Sequence, residues 1–278
     1  SRRQRQMCIR DRLYRITILK ERESVIIIIQ GKIMKIIGVI PARFQSSRFP
    51  GKPLAQINGK PMIWWVYNQV IKVNQFNDVY VATDSTRILD ECNKYKIKAI
   101  LTSDKHQTGT DRIGEVATKI KADFYVNIQG DEPLIEPETI ERIVTYKQEN
   151  PEVEVINSMT LIHDEKDIQR NTVVKVVAAD NDDLLYLSRA PIPYPKRGQK
   201  IKYYKHLGLY GLSKQALEFY SQTQRAKNEK IEDIEMLRFL ENGYRIKIVE
   251  VNSNSVGVDC PEDILRVEQK MKNIGIME

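Results

Sequence analysis

Two arginines, a lysine and a glycine fall within the run PARFQSSRFPGKPL at residues 41–54. A loop of this composition suits a polyphosphate. Backbone N–H groups beside Gly51 can approach closely, and Arg43, Arg48 and Lys52 can neutralise charge. The same residues read equally well as a surface loop with a Gly-Lys-Pro turn. The run lacks the Gly-Lys-Ser/Thr ending of a Walker A loop, which disfavours a P-loop ATPase.

Four further motifs carry chemically useful residues. In VNIQGDEP at 126–133, Asp131 can hold Mg²⁺ that also binds phosphates, or the Asp-Glu-Pro can simply start a helix. In SVGVDCPED at 255–263, a strand-like stretch ends in Asp259, which either shares Mg²⁺ with Asp131 or caps the last helix. HQTGTDR at 106–112 offers small hydroxyl residues to a base or ribose, or is a plain helix entry. SRAPIP at 188–193 and KHLGLYG at 205–211 place Arg189 and His206 as cations suited to a carboxylate. A histidine in an apolar strand also reads as a hydrogen-bonded core residue.

The elements that must position these motifs alternate. Continuous apolar or β-rich runs at 35–40, 78–83, 97–101 and 124–129 read as buried parallel strands. Helices are expected at 61–73, opened by Pro61, at 85–95 with Ser85 as cap, at 111–120 and at 137–148. This pattern predicts an α/β fold with a doubly wound, mostly parallel sheet of Rossmann-like type. In such sheets, ligands bind beyond the carboxyl ends of the strands, where the first loop lies. The middle is richer in strands, expected at 153–162, 173–178, 184–187 and 203–212. It reads as an inserted, strand-rich lobe, about 153–212, and such lobes often supply sugar and dimer contacts. Helices at 214–221 and 231–242, a strand at 244–251 and a helix at 261–271 complete one domain over 34–278.

The bulk numbers fit this picture. The chain has 278 residues, 41% hydrophobic and 29% charged, an ordinary globular composition. Its net charge of +7 is misleading: residues 1–33 contribute nine bases and three acids, whereas the other 245 residues carry 35 bases and 34 acids. The folded body is therefore nearly neutral, which argues against a nucleic-acid partner. Residues 1–33 show no helical period, and their apolar run at 25–29 is too short for a membrane span or a full signal core. This extension reads as non-native or disordered, with Met34 as the natural start; a basic tail touching membrane or nucleic acid is the competing reading. Cys8, Cys92 and Cys260 form no CxxC pair, so neither a zinc site nor a disulfide framework is expected, and a reducing cytoplasm is the simplest compartment.

Each motif alone is modest, but their order and spacing closely resemble the 3-deoxy-manno-octulosonate (Kdo) cytidylyltransferases over about residues 35–272. The resemblance rests on the first loop, NIQGDEP, VKVV at 174–177, SRA, HLGLYG and GVDCPED. It implies an enzyme that couples CTP to Kdo, giving CMP-Kdo and pyrophosphate for lipopolysaccharide synthesis. It implies that Arg43 and Lys52 hold the CTP phosphates, with Ala42 and the backbone near Ser46. Ala82, Thr83, Asp84, Thr108, Gly109, Thr110 and Arg112 are placed around cytidine. Asp131 and Asp259 are placed on Mg²⁺, and Gln129, Arg189, His206, Tyr210 and Glu235 around the sugar acid. Such enzymes are typically cytoplasmic homodimers, with no membrane or nucleic-acid partner. One departure is Met236, which stands in IEMLR at 234–238 where the family pattern has a polar residue. A related acidic or amino-substituted sugar is therefore an alternative, as is an inactive nucleotide-binding homologue.

Overall fold

A computed structural model of the chain describes residues 14–21, 24–31, 34–45, 49–253 and 255–276, the first two stretches as backbone alone. It divides into two units, Ser1–Met34 and Lys35–Glu278. In the first, β1 (Tyr14–Glu21) and β2 (Ser24–Gly31) pair antiparallel, from Tyr14 opposite Gly31 to Glu21 opposite Ser24. This hairpin occupies part of the extension expected to lie outside the fold. Cys8 lies outside the described residues.

The second unit is built on a nine-stranded sheet. Its parallel half has β3 (Ile36–Ala42) at the centre, with β6 (Asp78–Thr83) on one side and β8 (Phe124–Asn127) on the other. β7 (Ala99–Leu101) extends it beyond β6. Ile36, Ile37, Val39 and Ile40 are all 0% exposed, so β3 is covered on both faces, as its unbroken apolar run requires. Between β3 and β6 lie a 3₁₀ turn at Lys52–Leu54 and a two-residue hairpin, β4 (Gln56–Ile57) and β5 (Lys60–Pro61). These lead into α1 (Met62–Val70). The remaining crossovers are α2 (Thr86–Lys94), α3 (Gly109–Lys119) and α4 (Pro137–Glu149).

The strand-rich segment joins the same sheet rather than forming a separate one. β9 (Val155–Leu161), β10 (Lys175–Ala178), β11 (Leu184–Ser188) and the long β12 (Tyr204–Ser213) follow, with α5 (Glu165–Gln169) between the first two. β12 runs antiparallel to β8, β9 and β10, welding this segment to the parallel half. α6 (Lys214–Gln222), α7 (Lys227–Glu232) and α8 (Met236–Glu241) precede β13 (Ile246–Glu250), which pairs parallel with β9; α9 (Asp263–Asn273) ends the fold.

Three expectations need correction. The helix expected at 231–242 is two helices, because Asp233 adopts a left-handed conformation at φ 50° and turns the chain between them. Ser85 stands before α2, but its side chain makes no capping bond. The stretch before Asp259 is irregular rather than a strand, and the carboxylate of Asp263, not Asp259, ties the turn by accepting from the N–H groups of Asp259 and Cys260. The short α5 had no sequence signal strong enough to separate it from a loop.

α7 and α8 are clamped by a buried ion pair. Arg238 donates from Nε and Nη2 to both carboxylate oxygens of Glu229, at 2.8 and 2.6 Å, and lies 3.7 Å over the Tyr220 ring. The Glu229 side chain is 0% exposed and Arg238's 5%; without Arg238, Glu229 would keep as an ion pair only the longer contact to Arg225 Nε, at 3.4 Å. Arg238→Met is expected to lower unfolding free energy by ~3 kcal/mol or more in urea denaturation, since the buried carboxylate then loses its two-point partner and keeps only Arg225 as a cation. A loss under ~1 kcal/mol would show the pair to be dispensable.

Candidate active site

The chemistry gathers beyond the carboxyl ends of β3, β6 and β8. β3 delivers Arg43, which is exposed and makes no ion pair with another described residue. Ser46 and Arg48 lie outside the described residues. Lys52 follows Gly51, whose left-handed φ of 70° sets up the 3₁₀ turn. The Lys52 ammonium donates to Asp131 Oδ2 at 2.6 Å and to the Val258 carbonyl at 2.8 Å. Val258 N–H in turn donates to the Asp131 carbonyl at 2.9 Å. The first loop, the QGDEP turn and the segment leading to Asp259 therefore meet at one ammonium. Gly130 makes the meeting possible: a Cβ there would lie 2.7 Å from the Pro41 carbonyl oxygen.

A second group holds the loop from behind. Asp84 accepts from Phe44 N–H at 3.2 Å and from Arg112 Nη2 at 2.9 Å. Arg112 is 0% exposed and also donates to Thr102 and to the Ser103 carbonyl. Its guanidinium thus faces protein partners and braces Asp84. Burial pulls its pKa down, against the opposing pull of Asp84. Ala42, Ala82 and Thr83 are buried at the strand ends.

The turn at 108–112 is a capping box: Thr108 Oγ1 accepts from Asp111 N–H, and Asp111 accepts from Thr108. Thr110 joins two more residues singled out in the sequence. Its N–H donates to Glu235 at 3.1 Å, and its hydroxyl pairs with the Tyr210 hydroxyl at 2.9 Å. Glu235 thus sits at the positive end of α3. Burial nonetheless holds its carboxyl above the usual range, and the Tyr210 phenol far above its own. Gly109 is at the same turn, 3.8 Å from the Tyr210 hydroxyl by the position its Cβ would take.

Gln129 packs on Gly208, where a Cβ would lie 2.3 Å from its Cγ, so only glycine leaves room for that side chain. His206 is not the cation its motif suggested. Desolvation and the Arg189 charge push its pKa down to about 4, leaving the imidazole neutral near pH 7. Asn157 Nδ2 donates to His206 Nδ1 at 3.0 Å, while Asn157 Oδ1 accepts from Ser158 N–H, so the ring proton is assigned to Nε2. His206 can therefore offer one N–H donor. Arg189 engages the carbonyls of Glu232, Asn171 and Asp233 with three of its donors.

No cluster of three His, Cys, Asp or Glu suited to a metal occurs among the described residues. A carboxylate pair supplemented by phosphate oxygens is nevertheless an ordinary Mg²⁺ donor set. Asp131 is 32% exposed at its side chain and already holds a cation, the Lys52 ammonium, while Asp259 is exposed one residue beyond Val258. The residues present fit such an ion. Sequence reasoning missed Val258, Asn157 and Glu132. Val258 acts through its carbonyl and Asn157 through its placement, so neither left a signal. Glu132 stands inside the QGDEP motif; burial and its neighbour Asp131 raise it to about 7.

The depressed His206 value has a stability consequence. Its folded pKa of about 4 lies below the reference 6.5, so the unfolded chain takes up the proton first. Stability from this group is complete above about pH 6.5 and declines as pH falls towards 4. Unfolding measured at pH 7.5 and 5 is expected to show ~1–2 kcal/mol more loss in the wild type than in His206→Gln. Equal losses would contradict the neutral assignment.

Comparison with known proteins places the chain in a family. The Cytidylyltransferase family model matches residues 37–248. A 3-deoxy-manno-octulosonate cytidylyltransferase of Fusobacterium nucleatum is 41% identical over 244 residues, covering 87% of this chain and 99% of the relative. One from Escherichia coli is 40% identical over 237 residues, covering 85% and 96%. A solved structure of CMP:2-keto-3-deoxy-manno-octonic acid synthetase complexed with CTP superposes with a TM-score of 0.83 at 40% identity, covering 86% of this chain and 99% of that one. On these matches, the chain belongs to the 3-deoxy-manno-octulosonate cytidylyltransferase family.

Proposed function

We propose that this chain transfers the cytidylyl group of CTP to the anomeric hydroxyl of Kdo, giving CMP-Kdo and pyrophosphate. The observation that carries the reading is the Lys52 ammonium held between Asp131 and Val258, which assembles three sequence-distant motifs into one anionic-substrate site. The hydroxyl oxygen attacks the α-phosphorus and loses its proton as the new O–P bond forms, while the bond to the β-phosphate oxygen breaks. The work of the protein is positioning and charge neutralisation. Arg43, exposed and without an ion pair to any described residue, meets the phosphates first, and Lys52 exchanges Asp131 for charge developing on pyrophosphate. Asp131 and Asp259 are the residues that would hold Mg²⁺, which when bound neutralises phosphate charge and lowers the hydroxyl's pKa.

On the sugar side, Gln129, Tyr210 and Glu235 present polar groups, His206 presents a neutral N–H, and Arg189 supplies positive charge towards the carboxylate. Around cytidine, the backbone at Ala42, Ala82 and Thr83 and the 108–110 turn form the wall, while Asp84 and Arg112 keep that wall in place. We also infer the wider setting: a homodimer in the cytoplasm that feeds lipopolysaccharide synthesis. No helix among the described residues is long and apolar enough to cross a membrane. The departure from the family pattern at Met236 keeps a second reading, an amino-substituted Kdo, although Met236 itself packs in the hydrophobic core.

Pyrophosphate release is the test, with CTP, Mg²⁺ and a panel of keto-sugar acids. Kdo is expected to support turnover, and a response to the amino sugar alone would favour the second reading. Asp131→Asn and Asp259→Asn are each expected to lose roughly 10²-fold or more in turnover, the scale of one lost electrostatic stabiliser. Near-normal turnover in both would refute the metal assignment.

A further inference from the structure

Lys175 is 0% exposed, and its ammonium faces no carboxylate within ion-pair distance among the described residues. It donates instead to three backbone carbonyls: Arg170 at 2.9 Å, Val173 at 2.7 Å, and Arg189. An ammonium withdrawn from water is costly to bury, and desolvation pulls its pKa down. A buried apolar side chain would fill the same volume without that cost. The placement therefore calls for a reason beyond packing.

The reason lies in what flanks it. β10 runs between β11 and β12, and Lys175 is opposite Ser188 on one side and Lys205 on the other. The next residues along those neighbours are Arg189 and His206, both assigned to the sugar side. The backbone N–H of His206 donates to the Val174 carbonyl at 2.9 Å, so its strand is fixed immediately beside Lys175. Arg189 is fixed reciprocally. Lys175 takes the Arg189 carbonyl, while the Arg189 guanidinium takes the carbonyls of Asn171, Glu232 and Asp233 at 2.9, 2.5 and 3.1 Å. Glu232 closes the ring by accepting from Ser188 Oγ and Arg189 N–H. Two residues beyond Asp233, Glu235 meets Thr110 at the start of α3.

We propose that Lys175 is a positioning residue for the sugar acid, locking the 170–173 loop, Arg189 and the 232–235 turn into one unit from which Arg189 and His206 face the substrate. It touches no substrate itself. Lys175 ties three carbonyls, those of Arg170, Val173 and Arg189, to one ammonium, and so sets where the Arg189 guanidinium can point. The proposal rests on the cytidylyltransferase reading for its kinetic test, and on the hydrogen-bond geometry alone for its structural one.

Lys147 provides an internal control. It is also buried, at 4% exposed, and also donates to two carbonyls, Pro151 and Val153, but these lie at the far end of α4. Lys175→Met and the milder Lys175→Gln should be compared with Lys147→Met by hydrogen exchange and steady-state kinetics. For Lys175→Met, or for Lys175→Gln if the former does not fold, amides at 188–190 and 232–235 are expected to exchange faster. KM for the sugar acid is expected to rise about tenfold or more, the scale seen when a supporting residue is lost, while KM for CTP stays within about threefold. Lys147→Met is expected to lower stability without this split. The proposal is overturned if exchange at 188–190 is unchanged, if both KM values rise together, or if Lys147→Met gives the same split. Wild-type turnover, measured in the same series, reports on the reaction itself, so a failed reaction and a failed positioning role give different results.

Discussion

The contact between Lys52 and the pair Asp131 and Val258 is the one on which the site depends. It joins residues 79 and 206 positions apart in the chain, and it does so with a side chain only 16% exposed. Lys52 combines a counter-charge, the Asp131 carboxylate, with a carbonyl acceptor, that of Val258. Neither can move far without the other until a ligand supplies a substitute. A nucleotide triphosphate offers oxygens to Lys52, and a divalent ion offers charge to Asp131. In the proposed reaction the same two residues hold the site together and exchange partners when substrate arrives.

Around this contact the structure distinguishes exposed polar residues from buried ones that hold others. Arg43 is exposed and makes no ion pair with any described residue, whereas Arg112 is buried behind the loop with Asp84, Thr102 and Ser103 as partners. Both are arginines in motifs assigned to the nucleotide by resemblance, yet one is exposed and one is a brace. On the sugar side the division recurs. His206 is neutral and offers a single N–H, Glu235 fastens to the start of α3, and Arg189 fastens to the turn that carries Glu235. Preorganisation of this kind removes reorganisation from the reaction step, the main contribution such a site can make to group transfer.

The parallel half of the sheet was legible in the sequence because its strands are unbroken apolar runs between turn residues, and 78–83 coincides with the observed strand. The motif loops were legible because residue types such as Gly-Lys and Gln-Gly-Asp are unusual together. What escaped were features set by tertiary contact. The break at Asp233 exists so that Glu235 can turn back to Thr110, and nothing in the helical pattern of 231–242 announces it. The neutrality of His206 depends on burial and on Arg189, whose sequence distance hides it. Arg112 reads as a ligand contact or a brace with equal ease, because charge alone does not reveal direction. The segment that leads to Asp259 meets the Asp131 turn through Val258, but as irregular chain rather than the strand its pattern suggests.

A double-mutant cycle on Lys52→Met and Asp131→Asn, read as kcat/KM for CTP, tests the central contact most directly. If Lys52 and Asp131 act as one unit, the double variant is little worse than the poorer single one, with a coupling energy of ~1 kcal/mol or more. Effects that add within about 0.5 kcal/mol would show that the two residues work independently, and would contradict a site organised around their contact.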